Sequence, residues 1–353
     1  MRRRIASLPV TDMGSKQLIA SESPQEKMVK KSTGMPAALF LCVVAVFAYS
    51  TSRAEQQAAR FFLMGSGTLQ LKNLRNNEAA RVCLLNTDGS LNNEAFNQVD
   101  RVFGYPTTEK GDHISPRLLF MLSYFADRVA PGRLITIESG YRSPDYNAQL
   151  RLNGANAART STHIDAMALD FRIEGVDGKK LWETVRAANC CGVGHYGGAI
   201  IHLDAGRPRF WEARTSGTGS KEPDYNRHIY LSPDFDRYPR HAPIRLTLSG
   251  ISTFGFGVGS DALLYGVDDP EKPVARMKIA GDESVDCRII ADQKAARFLN
   301  ATLPSDLPAG RYRIKLRFCK KPFGQMPEEV LTQEIELFEA APGANPPAPD
   351  FTH

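Results

Sequence analysis

The sequence predicts an α+β fold: a first domain with a small antiparallel sheet and flanking helices, followed by a C-terminal β-sandwich-like domain. Three observations lead to this prediction. Strand-like and helical segments alternate up to Trp211 without a repeated strand–helix–strand unit. Residues 215–242 are rich in Ser, Gly, Pro and Tyr, which is typical of a linker. From 243 to 340 the chain consists of short strand-like segments.

The elements of the first domain, 55–214, follow from local patterns. Apolar and polar residues alternate on both sides of N-N-E, which predicts a hairpin over 67–74 and 79–85. Ser115 followed by Pro116 is typical of a helix N-terminus. The other predicted elements are helices over 92–103, 115–129, 145–153 and 179–188, and strands over 134–138, 166–173 and 199–204.

The second domain, 243–340, is predicted from strand-like segments alone, and the Pro-rich tail over 341–353 is expected to be disordered. Its predicted strands cover 244–248, 274–279, 285–290, 311–318 and 330–338.

The composition predicts a hydrophobic core and argues against a nucleic-acid partner. Of 353 residues, 42% are hydrophobic and 24% are charged, as in ordinary globular domains. The formal net charge of +5 comes from residues 1–54, because the rest of the chain holds equal numbers of basic and acidic side chains. A near-neutral mature protein gives no support for binding nucleic acid or another polyanion.

Residues 1–54 have the pattern of an export signal. An uncharged, almost wholly apolar run covers 35–49, with lysines just before it and Ser52-Arg53-Ala54 just after it. We predict cleavage after Ala54 and export to the periplasm or cell envelope. The alternative is a retained anchor, although the run is shorter than the roughly 20 apolar residues that span a bilayer. Contact with a membrane is therefore expected only if the leader is not cleaved.

The cysteines outside the leader are odd in number and contain no C-x-x-C motif. In an oxidising compartment, Cys287 and Cys319 could bridge two strands of the second domain. Cys83 could pair with Cys190 or Cys191, or stay buried.

Two motifs contain the residue types of a metal site. His163 and Asp170 are seven residues apart in S-T-H-I-D-A-M-A-L-D, where a loop leading into a strand could bring them together. His202 and Asp204 are two apart on an apolar strand and project from one face. Two imidazoles, a carboxylate and an open position are what catalytic zinc requires. Spacing alone leaves a structural role open for each residue.

Arg142 follows a predicted buried strand in S-G-Y-R-S. A guanidinium at the C-terminal end of a strand could stabilise a developing oxyanion. A surface salt bridge is the alternative role.

These motifs together resemble one family. S-G-Y-R-S-P-D-Y-N, S-T-H-I-D-A-M-A-L-D, G-V-G-H-Y and I-H-L-D-A-G-x-x-R-x-W are similar to motifs of zinc murein endopeptidases of the murein endopeptidase K type. That type lies within the D-Ala-D-Ala carboxypeptidase, lysostaphin and hedgehog group. The resemblance covers about 67–211, includes the leading hairpin and the S-P-R-L-L helix, and leaves 243–340 outside.

The resemblance implies one Zn²⁺ held by His163, Asp170 and His202, with Arg142 polarising the scissile carbonyl. Asp204 would be the general base, or a residue that orients the zinc-bound water. Four further residues are expected to bind substrate: Tyr141, Ser161, His195 and Tyr196.

The chain departs from the family at two positions. Ala166 stands where the family usually has Gly, a one-methyl change expected to matter little at the start of a strand. His195 stands where many relatives carry Tyr, and it could bind substrate, carry protons or do neither.

The expected function is that of an exported zinc metallopeptidase which hydrolyses peptide cross-links of peptidoglycan. One alternative is a carboxypeptidase that removes a terminal D-amino acid from wall peptides. The other is a non-catalytic peptidoglycan-binding scaffold, with the second domain making the useful contact. Retention of all the implied site residues favours the enzyme.

Overall fold

The computed structural model describes residues 59–107, 111–155, 157–216, 223–281 and 285–339. The predicted export leader, the Pro-rich tail and most of the T-S-G-T-G-S stretch of the linker lie outside these residues. No helix in the described ranges is long and apolar enough to cross a membrane. The structure is α+β, as predicted, with several sheets and few helices.

The first region, 59–216, contains a mixed seven-stranded sheet. Its strands are β1 (Thr68–Asn73), β2 (Ala79–Cys83), β3 (Ile135–Ser139), β4 (Ala168–Ile173), β5 (Gly192–His195), β6 (Ile201–Asp204) and β7 (Arg209–Glu212). Their order across the sheet is β2-β1-β3-β4-β6-β5-β7. The pairs β1–β3 and β5–β7 are parallel and the other neighbours are antiparallel.

Each helix of the first region begins next to a side chain that caps it. The helices are α1 (Asn93–Phe103), α2 (Pro116–Val129), α3 (Pro144–Leu152) and α4 (Gly178–Ala188). Asn92, Ser115, Ser143 and Asp177 precede them, and each side chain accepts a backbone N–H of the first turn. Such caps satisfy amide groups that have no partner within the helix. These local signals explain why the predicted helix boundaries are close to the observed ones.

Two strands of this sheet, β5 and β7, were not predicted. The sequence of β5 is G-V-G-H, which is short and has too many glycines to show strand alternation. It forms a strand because β6 pairs with one of its edges and β7 with the other.

The β-rich region, 223–339, contains a three-stranded sheet ordered β14-β10-β8 and a larger sheet built around β12-β11-β15-β17-β9. In the larger sheet β13 also pairs with β11, and β16 with β15. The strands are β8 (Tyr230–Pro233), β9 (Arg237–Pro239), β10 (Pro243–Ser249), β11 (Phe256–Gly266), β12 (Pro273–Lys278), β13 (Cys287–Ile290), β14 (Leu299–Thr302), β15 (Gly310–Lys320), β16 (Glu329–Leu331) and β17 (Ile335–Phe338). A short helix, α5 (Gln293–Arg297), lies between β13 and β14.

Strand β11 was also not predicted, although it makes the most extensive pairing of the larger sheet. Its glycines make the sequence look like a turn, and only pairing with β12, β13 and β15 defines it. Gly257 is required by packing: a Cβ there would lie 2.5 Å from the Sγ atom of Cys287 and 2.9 Å from that of Cys319. Those two cysteines form a disulfide between β13 and β15, which confirms the predicted bridge.

The prediction for the remaining cysteines was wrong. Cys83 is exposed and has a free thiol, whereas Cys190 and Cys191 are bonded to each other. The reason is strand alternation in β2: Val82 faces the core, so Cys83 faces solvent.

The two regions pack directly on each other. Phe61 stacks on Phe120 of α2 and contacts Phe235 of the β-rich region, with ring centroids 5.4 and 5.6 Å apart. Arg117 forms an ion pair with the buried Asp236. Strands β8 and β9 lie inside the stretch predicted as a linker. Strand β8 pairs with the nearby β10, whereas β9 pairs with β17, which lies far along the chain.

Candidate metal centre

One row of paired positions across the first sheet defines the site. Asp170 of β4 is paired with Ser139 of β3 on one side and with His202 of β6 on the other. His202 is in turn paired with Gly194 of β5, and Gly194 with Trp211 of β7. Paired positions place their side chains on the same face of a sheet. The row therefore brings a carboxylate, an imidazole and an indole together.

The three predicted metal ligands converge on this face. His163, from the loop before β4, has its Nε2 atom 3.3 Å from Nδ1 of His202. The Oδ1 atom of Asp170 lies 2.9 Å from that Nδ1 atom and 3.3 Å from that Nε2 atom. All three side chains are buried, and one potential ligand atom from each lies within 4.8 Å of the others.

The hydrogen bonds of the two rings define which nitrogen faces the centre. Nδ1–H of His163 donates to the carbonyl of Gly140 at 2.7 Å, and Nε2–H of His202 donates to Oδ2 of Asp204 at 2.7 Å. A carbonyl and a carboxylate only accept, so these nitrogens carry the protons. When each ring is neutral, as metal binding requires, the facing nitrogens offer lone pairs beside the Asp170 oxygen. Three acceptors converging in a buried place fit a divalent cation, and two nitrogens with one oxygen suit zinc.

Burial and neighbouring charges shift the pKa values of these groups in different directions. Burial lowers the pKa of His163 below its ordinary value. Burial would also lower that of His202, but hydrogen bonds and charge from Asp170 and Asp204 outweigh it and raise the pKa. Burial alone would raise the pKa of Asp170. The charges and hydrogen bonds of His163 and His202 outweigh burial, so the pKa of Asp170 is well below the usual range.

Asp204 lies behind His202, on the side of the ring away from the other ligands. It is fully buried. Its Oδ1 atom accepts from Arg209 at 3.0 Å and from the backbone of Gly206 at 2.9 Å, and its Oδ2 atom accepts from Arg209 at 2.6 Å and from Thr162 at 3.3 Å. Burial raises its pKa, but Arg209 and His202 outweigh that effect and hold the pKa far below normal. Both roles predicted for Asp204, as general base or as the residue that orients the zinc-bound water, concern a water molecule, whereas the structure places its carboxylate against the His202 ring, which it orients.

Two glycines of β5 make room for the groups that support His202. A Cβ at Gly192 would lie 2.3 Å from an Asp204 carboxylate oxygen, and one at Gly194 would lie 2.4 Å from the Trp211 ring. The Trp211 indole packs against His202 with ring centroids 5.0 Å apart. Sequence reasoning missed these contacts. The G-x-G spacing of β5 was the available signal, since it leaves one face of the strand without side chains.

Arg142 is tied to the site from three directions. Its Nη2 atom donates to Oδ2 of Asp170 at 2.7 Å, its Nε atom donates to Ser139 Oγ at 3.0 Å, and its backbone N–H donates to the carbonyl of His163 at 3.2 Å. The side chain is only 11% exposed. The alternative of a surface salt bridge is therefore wrong: Arg142 pairs with a predicted metal ligand inside the fold.

Two of the four predicted substrate-binding residues reach the cleft above the centre, namely Ser161 and Tyr196. The phenol of Tyr196 is close enough to interact with Asp170, and burial raises its pKa well above the usual range. It therefore stays protonated and can donate a hydrogen bond.

The other two predicted substrate-binding residues, His195 and Tyr141, are not brought to the cleft. His195 is paired with Ile201, on the opposite face of the sheet from His202, and its ring packs 6.2 Å from that of Trp182 in α4. The prediction that His195 lines the cleft is wrong, because alternation along β5 turns it away. Tyr141 packs edge-on against Tyr105, with ring centroids 5.0 Å apart.

Ala166 is in a turn and not at a strand entry as predicted. Its φ of 56° lies in the left-handed region, and β4 begins two residues later. Left-handed backbone favours glycine because a Cβ crowds the carbonyl. The left-handed backbone explains why the family was expected to have glycine at this position. It also means that the methyl group of Ala166 raises the energy of the turn.

The cleft above the centre has a volume of about 460 Å³. Its floor includes His163, His202 and Arg142. Sequence reasoning did not find the rest of its lining, because much of it comes from arginines and from segments distant along the chain.

Residues 64–211 match the family model described as Peptidoglycan L,D-endopeptidase MepK. Residues 64–211, which resemble this family, are called the MepK-like domain below. The resemblance predicted from the motifs is thereby confirmed. No solved structure matches the chain.

Individual relatives agree with the family match. Peptidoglycan L,D-endopeptidase MepK of Escherichia coli K12 is 28% identical over 144 residues, which are 40% of this chain and 79% of that protein. A probable peptidoglycan L,D-endopeptidase MepK of Haemophilus influenzae is 38% identical over 79 residues, which are 22% of this chain and 42% of that protein. The MepK-like domain contains all three predicted ligands, and the β-rich region lies beyond the match.

Proposed function

We propose that this protein is an exported zinc peptidase that hydrolyses peptide cross-links of peptidoglycan. The observation that carries the proposal is the convergence of His163, Asp170 and His202, of which the two histidines line a cleft. This group lies within the segment that matches peptidoglycan L,D-endopeptidase MepK, and the substrate class comes from that match.

Zinc held by these three residues would polarise the scissile carbonyl and lower the pKa of a bound water to roughly 7. The chain orients both imidazoles for this task. Gly140 and Asp204 accept the protons of the outer nitrogens, so the inner nitrogens remain available as ligands.

Arg142 and Tyr196 supply hydrogen-bond donors beside the ligands. The guanidinium of Arg142 is already oriented by Asp170 and Ser139, so little conformational freedom is lost when it meets a substrate oxygen. Tyr196 adds a protonated phenol on the same cleft wall. Both can stabilise negative charge that develops on the carbonyl oxygen.

Asp204 acts in this proposal as a positioning residue. It accepts from the His202 ring, and Arg209 neutralises its charge. A carboxylate with such a low pKa and with all these partners is poorly suited to accept a proton from water.

The test is digestion of purified sacculi by the purified protein, with and without a chelator, followed by mass analysis of the released muropeptides. We expect cross-linked dimers to become monomers only when metal is present. A His163→Ala variant should be inactive and contain little zinc. A matched His195→Ala variant should retain activity, because His195 lies on the opposite face of the sheet.

Other products would contradict the proposal. Loss of one terminal residue with cross-links intact would indicate a carboxypeptidase. Binding to sacculi with every muropeptide unchanged would indicate a scaffold. Export is tested separately by N-terminal sequencing of protein recovered from the envelope: a first residue at position 55 supports cleavage, and a retained leader indicates an anchored form.

A further inference from the structure

One wall of the cleft is built by residues outside the MepK-like domain. The floor and the facing wall come from the loop before β4, from β6 and from the turn between β6 and β7. The other wall comes from the β-rich region, which contributes Asp224, Arg227, His228, Tyr230, Ser249 and Gly250. The β-rich region is therefore part of the candidate active site.

This wall is held in place by buried hydrogen bonds. Asn226 is fully buried, and its Oδ1 atom accepts from the backbones of Ser252 and Thr253, both at 2.9 Å. The neighbouring Gly250 donates its backbone N–H to Asp165 at 2.9 Å. Asp165 is two residues from His163, so the wall is attached to the loop that holds a predicted metal ligand.

The described lining of the cleft is strongly basic. Its single acidic side chain is Asp224, which is paired with His228. Two of the arginines are neutralised by the carboxylates of the centre, Arg142 by Asp170 and Arg209 by Asp204. The six arginines of the lining are Arg142, Arg151, Arg159, Arg207, Arg209 and Arg227.

Three of the arginines are placed to meet a bound peptide. Arg151 lies in the last turn of α3, and Arg159 lies in the loop that leads to His163. Arg207 lies in the turn after β6 and also lines the cleft. Burial and the charge of Arg209 lower the pKa of Arg207, while Asp224 and Asp204 oppose the shift. A partly buried guanidinium is stabilised when a carboxylate binds to it.

We propose that the cleft recognises free carboxylates of the wall peptide through Arg151, Arg159 and Arg207, which all line it. The inference rests on the proposed function and adds to it the class of substrate: a cross-linked peptide with ionised carboxylates rather than their amides. Guanidinium groups bind carboxylates through paired, charge-assisted hydrogen bonds.

The experiment uses the full metal-loaded protein and two synthetic cross-linked peptides that differ only in free carboxylates or carboxamides. The variants are Arg159→Gln and Arg207→Gln. The matched control is Arg81→Gln, because Arg81 is exposed on β2, at the far edge of the sheet from β7. The readouts are kcat and KM for each peptide, at low and at high salt.

We expect the wild type to prefer the carboxylate peptide at least tenfold in kcat/KM. Each cleft variant should lose about tenfold on that peptide, mainly through KM, and lose little on the amide; tenfold corresponds to about 1.4 kcal/mol. Added salt should weaken the preference. Arg81→Gln should behave as wild type.

Equal rates on the two peptides, or variants that lose the same factor on both, would overturn the carboxylate inference and leave the proposed function intact. If neither peptide is cleaved, the proposed function fails, and calorimetric binding of the two peptides decides the inference. Equal affinity for acid and amide would then refute it, and tighter binding of the acid that Arg207→Gln abolishes would support it.

Discussion

Replacing Gly194 by alanine tests whether Trp211 supports His202. The added Cβ would lie 2.4, 2.6 and 2.7 Å from three atoms of the indole ring, so the ring must move. Overpacking of this kind costs about 1–3 kcal/mol. Replacing glycine in a strand recovers only about 0.5–1 kcal/mol of chain entropy. We therefore expect the free energy of unfolding to fall by about 0.5–2 kcal/mol.

The same substitution should weaken zinc binding. His202 packs against the displaced indole with ring centroids 5.0 Å apart, so its ring loses one of its supports. Loss of a group that orients a ligand typically lowers metal affinity by about 10–100-fold. The assays are denaturant unfolding and zinc titration against a competing chelator. Gly324→Ala is the matched control, because a Cβ there would meet no atom within 4 Å.

Two results would refute this reasoning. Unchanged stability would mean that the indole relaxes without cost, and the steric argument would fail. Lower stability with unchanged zinc affinity would keep the steric argument, but Trp211 would not be a support for His202. Gly324→Ala should differ from wild type by less than about 0.5 kcal/mol, the range usual for surface substitutions.

Three further predictions concern the metal centre. Asp204→Asn should lower zinc affinity by about 10–100-fold, because it removes the negative charge of the carboxylate that accepts a hydrogen bond from His202 and pairs with Arg209. A zinc dissociation constant within twofold of wild type, measured by chelator competition, would contradict this. Asp165→Ala should lower the free energy of unfolding by about 1–3 kcal/mol and should also lower zinc affinity, because it removes the acceptor for Gly250 beside the His163 loop. Asp165→Asn keeps an acceptor and should recover most of both losses. Equal losses in the two variants would argue against a hydrogen-bonding role. Zinc affinity should fall as pH decreases, and the fall should start above pH 6.5. Asp170 and Asp204 outweigh burial and raise the pKa of His202, so a proton competes with the metal at a higher pH than it would for an ordinary histidine. A zinc affinity that is constant between pH 6 and 8 would refute this.

Local chemistry explains what could be predicted from the sequence. Helix starts were predictable because Ser115 and Pro116 act within one turn of the backbone. The three ligands could be named because their residue types and order resemble a known family, and the structure brings them together. Strands β5 and β11 could not be predicted, because their glycines hide the alternation and only distant partners define them.

Side-chain direction was the main source of error at the site. His195 was expected in the cleft, but it lies on the opposite face of the sheet. It is the residue after Gly194 in β5, and consecutive residues of a strand point to opposite faces. Asp204 was expected beside a water and lies behind His202, where Arg209 reaches it from the adjacent turn and strand. Such outcomes depend on which strands pair and in which register.

The sequence by itself predicted the fold class and the helix boundaries, since these depend on local propensity, and its resemblance to a known family pointed to His163, Asp170 and His202 as candidate metal ligands. Tertiary structure alone decided the ring nitrogens that face the centre, the pairing of Arg142 with Asp170, and the cleft wall that the β-rich region supplies. The physical reason is that these features depend on contacts between residues far apart in the chain, and such contacts are specified only when the sheets have paired and packed.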